Sequence, residues 1–296
     1  MIKFAKATKK QSRARVALIG PAGSGKTYTS LAIASALGAR VGVIDTERGS
    51  SSKYSKTERR DGFEFDVVEL ESFEPATYVE AIHAGEREGF DVIVIDSLSH
   101  AWMGKGGALE QVDMAAGKSK SGNSYTAWRS VTPMHNALVD AMLQCRAHLI
   151  VTMRTKTEYV LEEDDRGRKV PKKVGLAPVQ REGLDYEFDV TGEINLNNDL
   201  VIDKTRCPEL KGKMFHKAGA DLAGILKDWL DDGAAGGPSV FDEILSAFEV
   251  APDVAALASL KERTNAAFKS GALRRDQVDR IVTVSRETEQ RLKEAS

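Results

Sequence analysis

Short, nearly unbroken apolar runs alternate along most of the chain with longer stretches whose apolar positions recur at helical spacing. Five runs predict core strands: Arg15–Ile19, Arg40–Ile44, Phe65–Leu70, Asp91–Ile95 and His148–Met153. A strand buried on both faces is apolar at successive positions rather than at every second one. Between the runs, helices are predicted over Tyr28–Leu37, near Pro75–Glu88, where Pro75 suits a first helical position, and over Pro133–Arg146. This alternation predicts an α/β fold, doubly wound about a mainly parallel sheet.

After Met153 the pattern changes. Lys156–Leu161, Asp189–Ile194 and Leu200–Lys204 read as further strands, with Asn197-Asn198-Asp199 as a turn before the last. Ala220–Leu230 is a closing helix with Leu222, Ile225, Leu226 and Trp229 on one face. Residues 233–239 have the Gly/Ala/Pro/Ser composition of a linker. Residues 240–296 carry helical periodicity in about three segments, ending in a charged helix near Arg274–Glu294. The expected division is a core over 1–232, a linker over 233–239 and a small helical domain or tail over 240–296.

Composition narrows the class. Hydrophobic residues are 42% and charged residues 29%, as in soluble globular proteins, and 296 residues suit one α/β domain with an appendage. Lys+Arg 42 against Asp+Glu 44 gives a net charge of -2, so a nucleic-acid surface must come from local clustering. Residues up to Arg15 carry Lys3, Lys6, Lys9, Lys10, Arg13 and Arg15 and no acid, fitting a solvated leader or edge strand, or a nucleic-acid or partner contact. Cys145 and Cys207 form no CxxC pair and are compatible with a reducing compartment. No run approaches a membrane span, and the start lacks a signal-peptide apolar region, so a cytoplasmic protein without a membrane partner is expected. The five histidines are scattered without zinc spacing; His100 reads as a satisfied loop residue.

Chemistry enters with Gly20-Pro21-Ala22-Gly23-Ser24-Gly25-Lys26-Thr27, which follows the first strand and opens the first helix. This is the full G-x-x-x-x-G-K-[ST] pattern in its strand–loop–helix setting. Its glycines let backbone N–H groups approach a phosphate chain, and the helix N-terminus favours the anion. Lys26 is expected on the β- and γ-phosphates and Thr27 on Mg²⁺, with Gly20 through Tyr28 forming the cradle. ATP and Mg²⁺ are the expected ligands. Asp96 ends the strand Asp91–Ile95 and is the expected Mg²⁺ carboxylate. Asp45 and Glu47 stand at the end of the second strand; Glu47, free to reach outward, is the better candidate for orienting water, or else an ion-paired loop residue.

Together, the phosphate loop, Ile44-Asp45-Thr46-Glu47 and Val92-Ile93-Val94-Ile95-Asp96-Ser97 resemble the ATPase core of RecA-type recombinases. The resemblance implies that Glu47 is the catalytic base. His148–Arg154 is similar to the strand whose polar end senses the γ-phosphate; the usual Asn-Gln is absent, so only the position transfers, to Thr152 or Arg154. Val201–Arg206 resembles the strand whose cations reach a neighbouring subunit's nucleotide, which implies Lys204 and Arg206 in trans or, without assembly, a solvated basic pair. More closely, Phe4-Ala5-Lys6-Ala7-Thr8, Ala127-Trp128-Arg129, Met153–Tyr159 and Tyr186-Glu187-Phe188-Asp189 resemble phage and prophage AAA-type ATPases related to Sak-type single-strand annealing proteins. The resemblance implies a ring or filament acting on single-stranded DNA in recombination, annealing or replication. A loader of replication or single-strand-binding proteins docking through the C-terminal helices, and a nucleotide-gated binder with little turnover, are the alternatives.

Two segments read as long polar loops where that family places DNA contacts. Gly104–Thr132 carries Lys105, Lys118, Lys120, Tyr125, Trp128 and Arg129; Thr155–Gly183 carries Arg166, Arg168, Lys169, Lys172, Lys173 and Arg181. Cations that track phosphates and aromatics that stack on bases serve single strands. Trp128 fits either a base platform or the core. Glu162-Glu163-Asp164-Asp165 fits an acidic hairpin tip.

Overall fold

A computed structural model describes residues 12–118, 124–163, 169–231, 240–269, 273 and 275–294, without the side chains of 124–125, 157–163, 169–176, 240, 242, 249, 254–255, 276, 279 and 293–294. Ser12–Asp232 form one compact unit, and the chain from Gly233 belongs to a second. The linker-like segment 233–239 and residues 1–11 lie outside the described residues.

The first unit is built on one mixed sheet. Six strands run parallel: β1 (Arg15–Gly20), β2 (Val41–Asp45), β3 (Asp66–Glu69), β4 (Val92–Asp96), β5 (His148–Glu163) and, after the hairpin strand β6 (Lys169–Pro178), β7 (Val190–Ile194). β8 (Asp199–Thr205) and β9 (Met214–His216) continue it antiparallel, giving the order β3-β2-β4-β5-β1-β7-β8-β9, with β6 paired to β5 off this path. Alternate side chains of the buried strands feed two apolar layers. Val16, Leu18, Val43 and Val94 pack with α1 (Lys26–Leu37) and α6 (Ala220–Asp231). Ala17, Ile44, Ile93 and Ile95 pack with α2 (Pro75–Glu88) and α5 (Ser124–Gln144). Covering both faces accounts for the continuous apolar runs.

Several expectations are corrected. The helix expected from Pro133 starts at Ser124 and runs through the proline. Ala127, Val131, Leu138 and Met142 are all buried, so one apolar stripe continues across Pro133, and its packing outweighs the missing N–H bond. The described residues of Gly104–Thr132 are therefore largely helical: α4 (Ala108–Lys118) and the start of α5, with α3 (Ser99–Met103) just before them, surround Ala108, Val112, Ala127 and Val131. Lys156–Leu161 is no separate strand, because β5 continues through it; β5 and β6 form an antiparallel arm from Thr155↔Pro178 to Glu163↔Lys169, with a register shift at Glu158/Tyr159. The expected acidic tip reaches residues 164–168, outside the described residues.

Arg15 is buried rather than solvated. Its guanidinium donates to Ala14 O at 3.0 Å, Ala147 O at 2.9 Å, Leu143 O at 3.2 Å and Cys145 O. It thereby places a cation where α5 ends, complementing the helix dipole. In the second unit, α7 (Val240–Glu249), α8 (Val254–Lys269) and α9 (Arg275–Glu294) surround Phe241, Ile244, Phe248, Leu257, Leu273 and Ile281. Among the described residues, no helix is long and apolar enough to cross a membrane.

His148, buried at the start of β5, accepts from the Ala14 N–H at 3.0 Å through Nδ1. Burial, reinforced by Arg13 and Arg15, pushes its pKa down to about 4. The unfolded chain takes up this proton near pH 6.5 and the native chain only near 4, so the native state loses stability as pH falls between these values. The loss is at most about 3 kcal/mol. Urea unfolding between pH 7.5 and 4.5 should show a steeper decline for the wild type than for His148→Asn, which keeps an acceptor but cannot be protonated.

Candidate nucleotide site

The loop from Gly20 to Gly25 leaves the buried end of β1 and turns into α1. Gly23 and Gly25 have φ of +81° and +86°, where a side chain is strained. A Cβ at Gly20 would lie 2.5 Å from Ile194 O and 2.6 Å from Ser24 Oγ, so the turn has no room there for another residue. The buried Ser24 hydroxyl has no partner, and the Lys26 ammonium reaches back to Gly20 O at 2.9 Å and Pro21 O at 2.8 Å. An open cradle with an unpartnered hydroxyl and a folded-back lysine suits a phosphate chain. Burial lowers the Lys26 pKa, while Asp96 and Glu47 oppose the shift.

Thr27, at the start of α1, donates from Oγ1 to Asp96 Oδ2 at 2.6 Å, and Thr152 on β5 donates to Asp96 Oδ1 at 2.5 Å. Burial raises the Asp96 pKa, against these two hydrogen bonds. Among the described residues no three His, Cys, Asp or Glu form a metal cage. A hydroxyl and one carboxylate at the cradle are instead the hard-oxygen set that fits Mg²⁺ shared with phosphates and water. Mg²⁺ bound there would supply neutralisation of phosphate charge.

Asp45, fully buried, fixes the next corner: Oδ1 accepts from Glu47 N–H at 2.6 Å, and Oδ2 accepts from Ser51 N–H at 2.9 Å and from the Ser51 hydroxyl. Arg154 grips Glu47 in a bidentate pair, Nε to Oε1 at 3.0 Å and Nη2 to Oε2 at 2.5 Å. The γ-phosphate-sensing alternatives thus separate: Thr152 holds Asp96, and Arg154 holds Glu47.

Tyr28 opens a cleft of about 470 Å³ lined by Lys53, Tyr54, Arg60 and Phe63. Its ring meets Phe63 at 5.1 Å and Tyr54 at 5.8 Å, both edge to face. Sequence reading missed Tyr54 and Phe63, although aromatics in an otherwise polar segment behind Glu47 were a visible signal. It also missed Asn198, which has φ 62° in the β7–β8 turn and donates from Nδ2 to Ser24 O at 2.9 Å. An asparagine in a turn tolerates that backbone, but its contact with the loop is long-range and invisible locally.

The remaining candidates lie elsewhere. Lys105, Lys118 and Arg129 are exposed around α3–α5. Trp128 is half-buried, stacked on Trp102 at 5.5 Å with Arg181 over its ring at 5.8 Å, so it packs within the protein rather than standing free. Lys120 lies outside the described residues, as do the side chains of Lys169, Lys172 and Lys173. Lys204 pairs with Thr191, one residue beyond the Val16↔Val190 level, at the sheet end opposite the phosphate loop. Its ammonium donates to Tyr186 O at 2.8 Å and to Phe188 O, and Arg206 binds Asp189 Oδ1 at 3.0 Å.

Sheet, loop and buried carboxylate define a P-loop ATPase core. The family model described as AAA domain matches residues 12–214, and the chain belongs to that family. No curated protein matches the chain. Membership carries nucleotide binding and ATPase activity, with Mg²⁺ the usual companion.

Gly25→Ala tests the cradle. The substitution forces a side chain at φ +86° and brings its Cβ to 2.8 Å from Asn198 Nδ2. ATP affinity, measured by calorimetry, should fall by about tenfold or more, the equivalent of roughly 1.4 kcal/mol, with the fold retained by circular dichroism.

Proposed function

We propose that this AAA-domain ATPase couples ATP hydrolysis to work on single-stranded DNA in recombination, annealing or replication, as a ring or filament. One observation carries the reading: β5 runs unbroken from Thr152 and Arg154 at the nucleotide cradle into the arm. Its partner β6 carries Lys169, Lys172 and Lys173 in sequence. A strand shared by both places links nucleotide state to the arm that carries these lysines. Lys105, Lys118 and Arg129 add exposed charge that can track phosphates.

In this reading Lys26 and the loop amides bind phosphates, and Thr27 and Asp96 serve Mg²⁺. Tyr28, Tyr54 and Phe63 form an apolar wall suited to the base. Glu47 orients water, and Arg154 passes between Glu47 and the γ-phosphate. Lys204 and Arg206 serve a neighbour's nucleotide, for which they must exchange their contacts with residues 186–189. The C-terminal helices dock a replication or single-strand-binding protein, and the setting is the cytoplasm.

Steady-state ATPase assays at low and moderate salt test the reading. Single-stranded DNA should stimulate turnover strongly, with stimulation fading as salt rises because phosphate contacts release counterions. Turnover indifferent to DNA would favour a loader of other proteins. Glu47→Gln should cut turnover by about a hundredfold or more while preserving ATP binding. The trans assignment has its own check: mixing Lys204→Ala with Glu47→Gln protein should restore part of the lost turnover. No recovery at any ratio, with subunit exchange verified, would remove Lys204 from the neighbour's site.

A further inference from the structure

We infer that His100 is a positioning residue that, as a neutral imidazole protonated on Nδ1, pins Thr46 and thereby fixes the corner presenting Glu47. The inference rests on the reading of Glu47 as the residue that orients water.

Thr46 lies between Asp45 and Glu47 and is zipped to the end of β4. Its N–H donates to Asp96 O at 2.7 Å, and its hydroxyl accepts from the Ser97 N–H at 2.8 Å. The hydroxyl has one proton, which it gives to Ser97 O at 3.1 Å. A third contact remains, to His100 Nδ1 at 2.7 Å. If the hydroxyl proton goes to Ser97 O, the contact with His100 is a hydrogen bond only with Nδ1 carrying the proton and donating. The ring itself is held on its other side, because Phe73 stacks on it at 4.9 Å with 25° between planes. Phe73 is in turn tied by its N–H to Lys105 O at 3.2 Å and hemmed in by Gly104, where a Cβ would lie 2.6 Å from its ring. His100 thus clamps the Glu47 corner between the segments that follow β3 and β4.

Asp45, Glu47 and Arg154 are the charged groups around the ring. Burial first, and then Arg154, lower its pKa, against the two carboxylates and a hydrogen bond with the Thr46 backbone. A pKa held below the ordinary imidazole value leaves the ring neutral at physiological pH.

The test combines nitrogen NMR with kinetics on the full-length chain. In ¹⁵N-histidine-labelled, nucleotide-free protein at pH 7.5, the His100 signals, assigned by their loss in His100→Asn, should show Nδ1 protonated and Nε2 bare. A ring protonated on Nε2 overturns the inference. His100→Phe keeps the stack on Phe73 but not the donor; its kcat should fall about tenfold with KM for ATP and analogue affinity within about twofold. His100→Asn, which restores an N–H donor, should recover most of that loss. Wild-type turnover in His100→Phe, or an equal loss in His100→Asn with the melting temperature unchanged, also overturns it. Absence of turnover in all three proteins would instead overturn the reading of Glu47, while the NMR result judges the clamp alone.

Discussion

The buried Asp96 carboxylate is the constraint around which the first unit is arranged. It ends the strand VIVID and ties β4 to α1 through Thr27 and to β5 through Thr152. Burying an ionised carboxylate costs several kcal/mol, and each charge-assisted hydrogen bond returns roughly 1.5–3. Burial outweighs these two bonds, which leaves the carboxyl pKa above its usual value. A positive charge arriving at this point would tip the balance back. In the proposed function that charge is Mg²⁺.

Around that carboxylate the sheet gathers polar groups from strands distant in sequence. β1 supplies the loop, β2 the Asp45–Glu47 corner, β4 the carboxylate and β5 Thr152 and Arg154. Parallel strands make this possible, since their carboxyl ends all emerge on one side. The same directionality explains why Lys204, on an antiparallel strand, stands at the far end.

What could be read from the chain followed the range of the interactions concerned. The phosphate loop was legible because its glycines and Lys26 act within one contiguous stretch. The helix Pro75–Glu88 was legible because a proline begins it and Gly89 ends it in the left-handed region. The helix expected from Pro133 begins earlier, at Ser124, because a buried stripe from Ala127 to Met142 carries it across the proline. Of the β5–β6 arm only Lys156–Leu161 reads as a strand, within a segment that otherwise reads as a polar loop, because its sequence carries no continuous apolar run and pairing defines its strands. The Glu47–Arg154 pair spans 107 positions, and nothing local to either residue announces it.

The edge strand β3 has a consequence for symmetry. Its four residues are exposed, with Asp66 and Glu69 flanking Val67 and Val68. Two copies joined antiparallel through this edge, centred on the two valines, would set each aspartate opposite the other copy's glutamate. Like charges directly opposed are repelled, and charged edges discourage sheet-to-sheet joining. A two-fold dimer closed through β3 is thus disfavoured. An assembly that used this edge would meet it with a different surface, and contacts of that heterologous kind build rings or helical filaments rather than closed pairs.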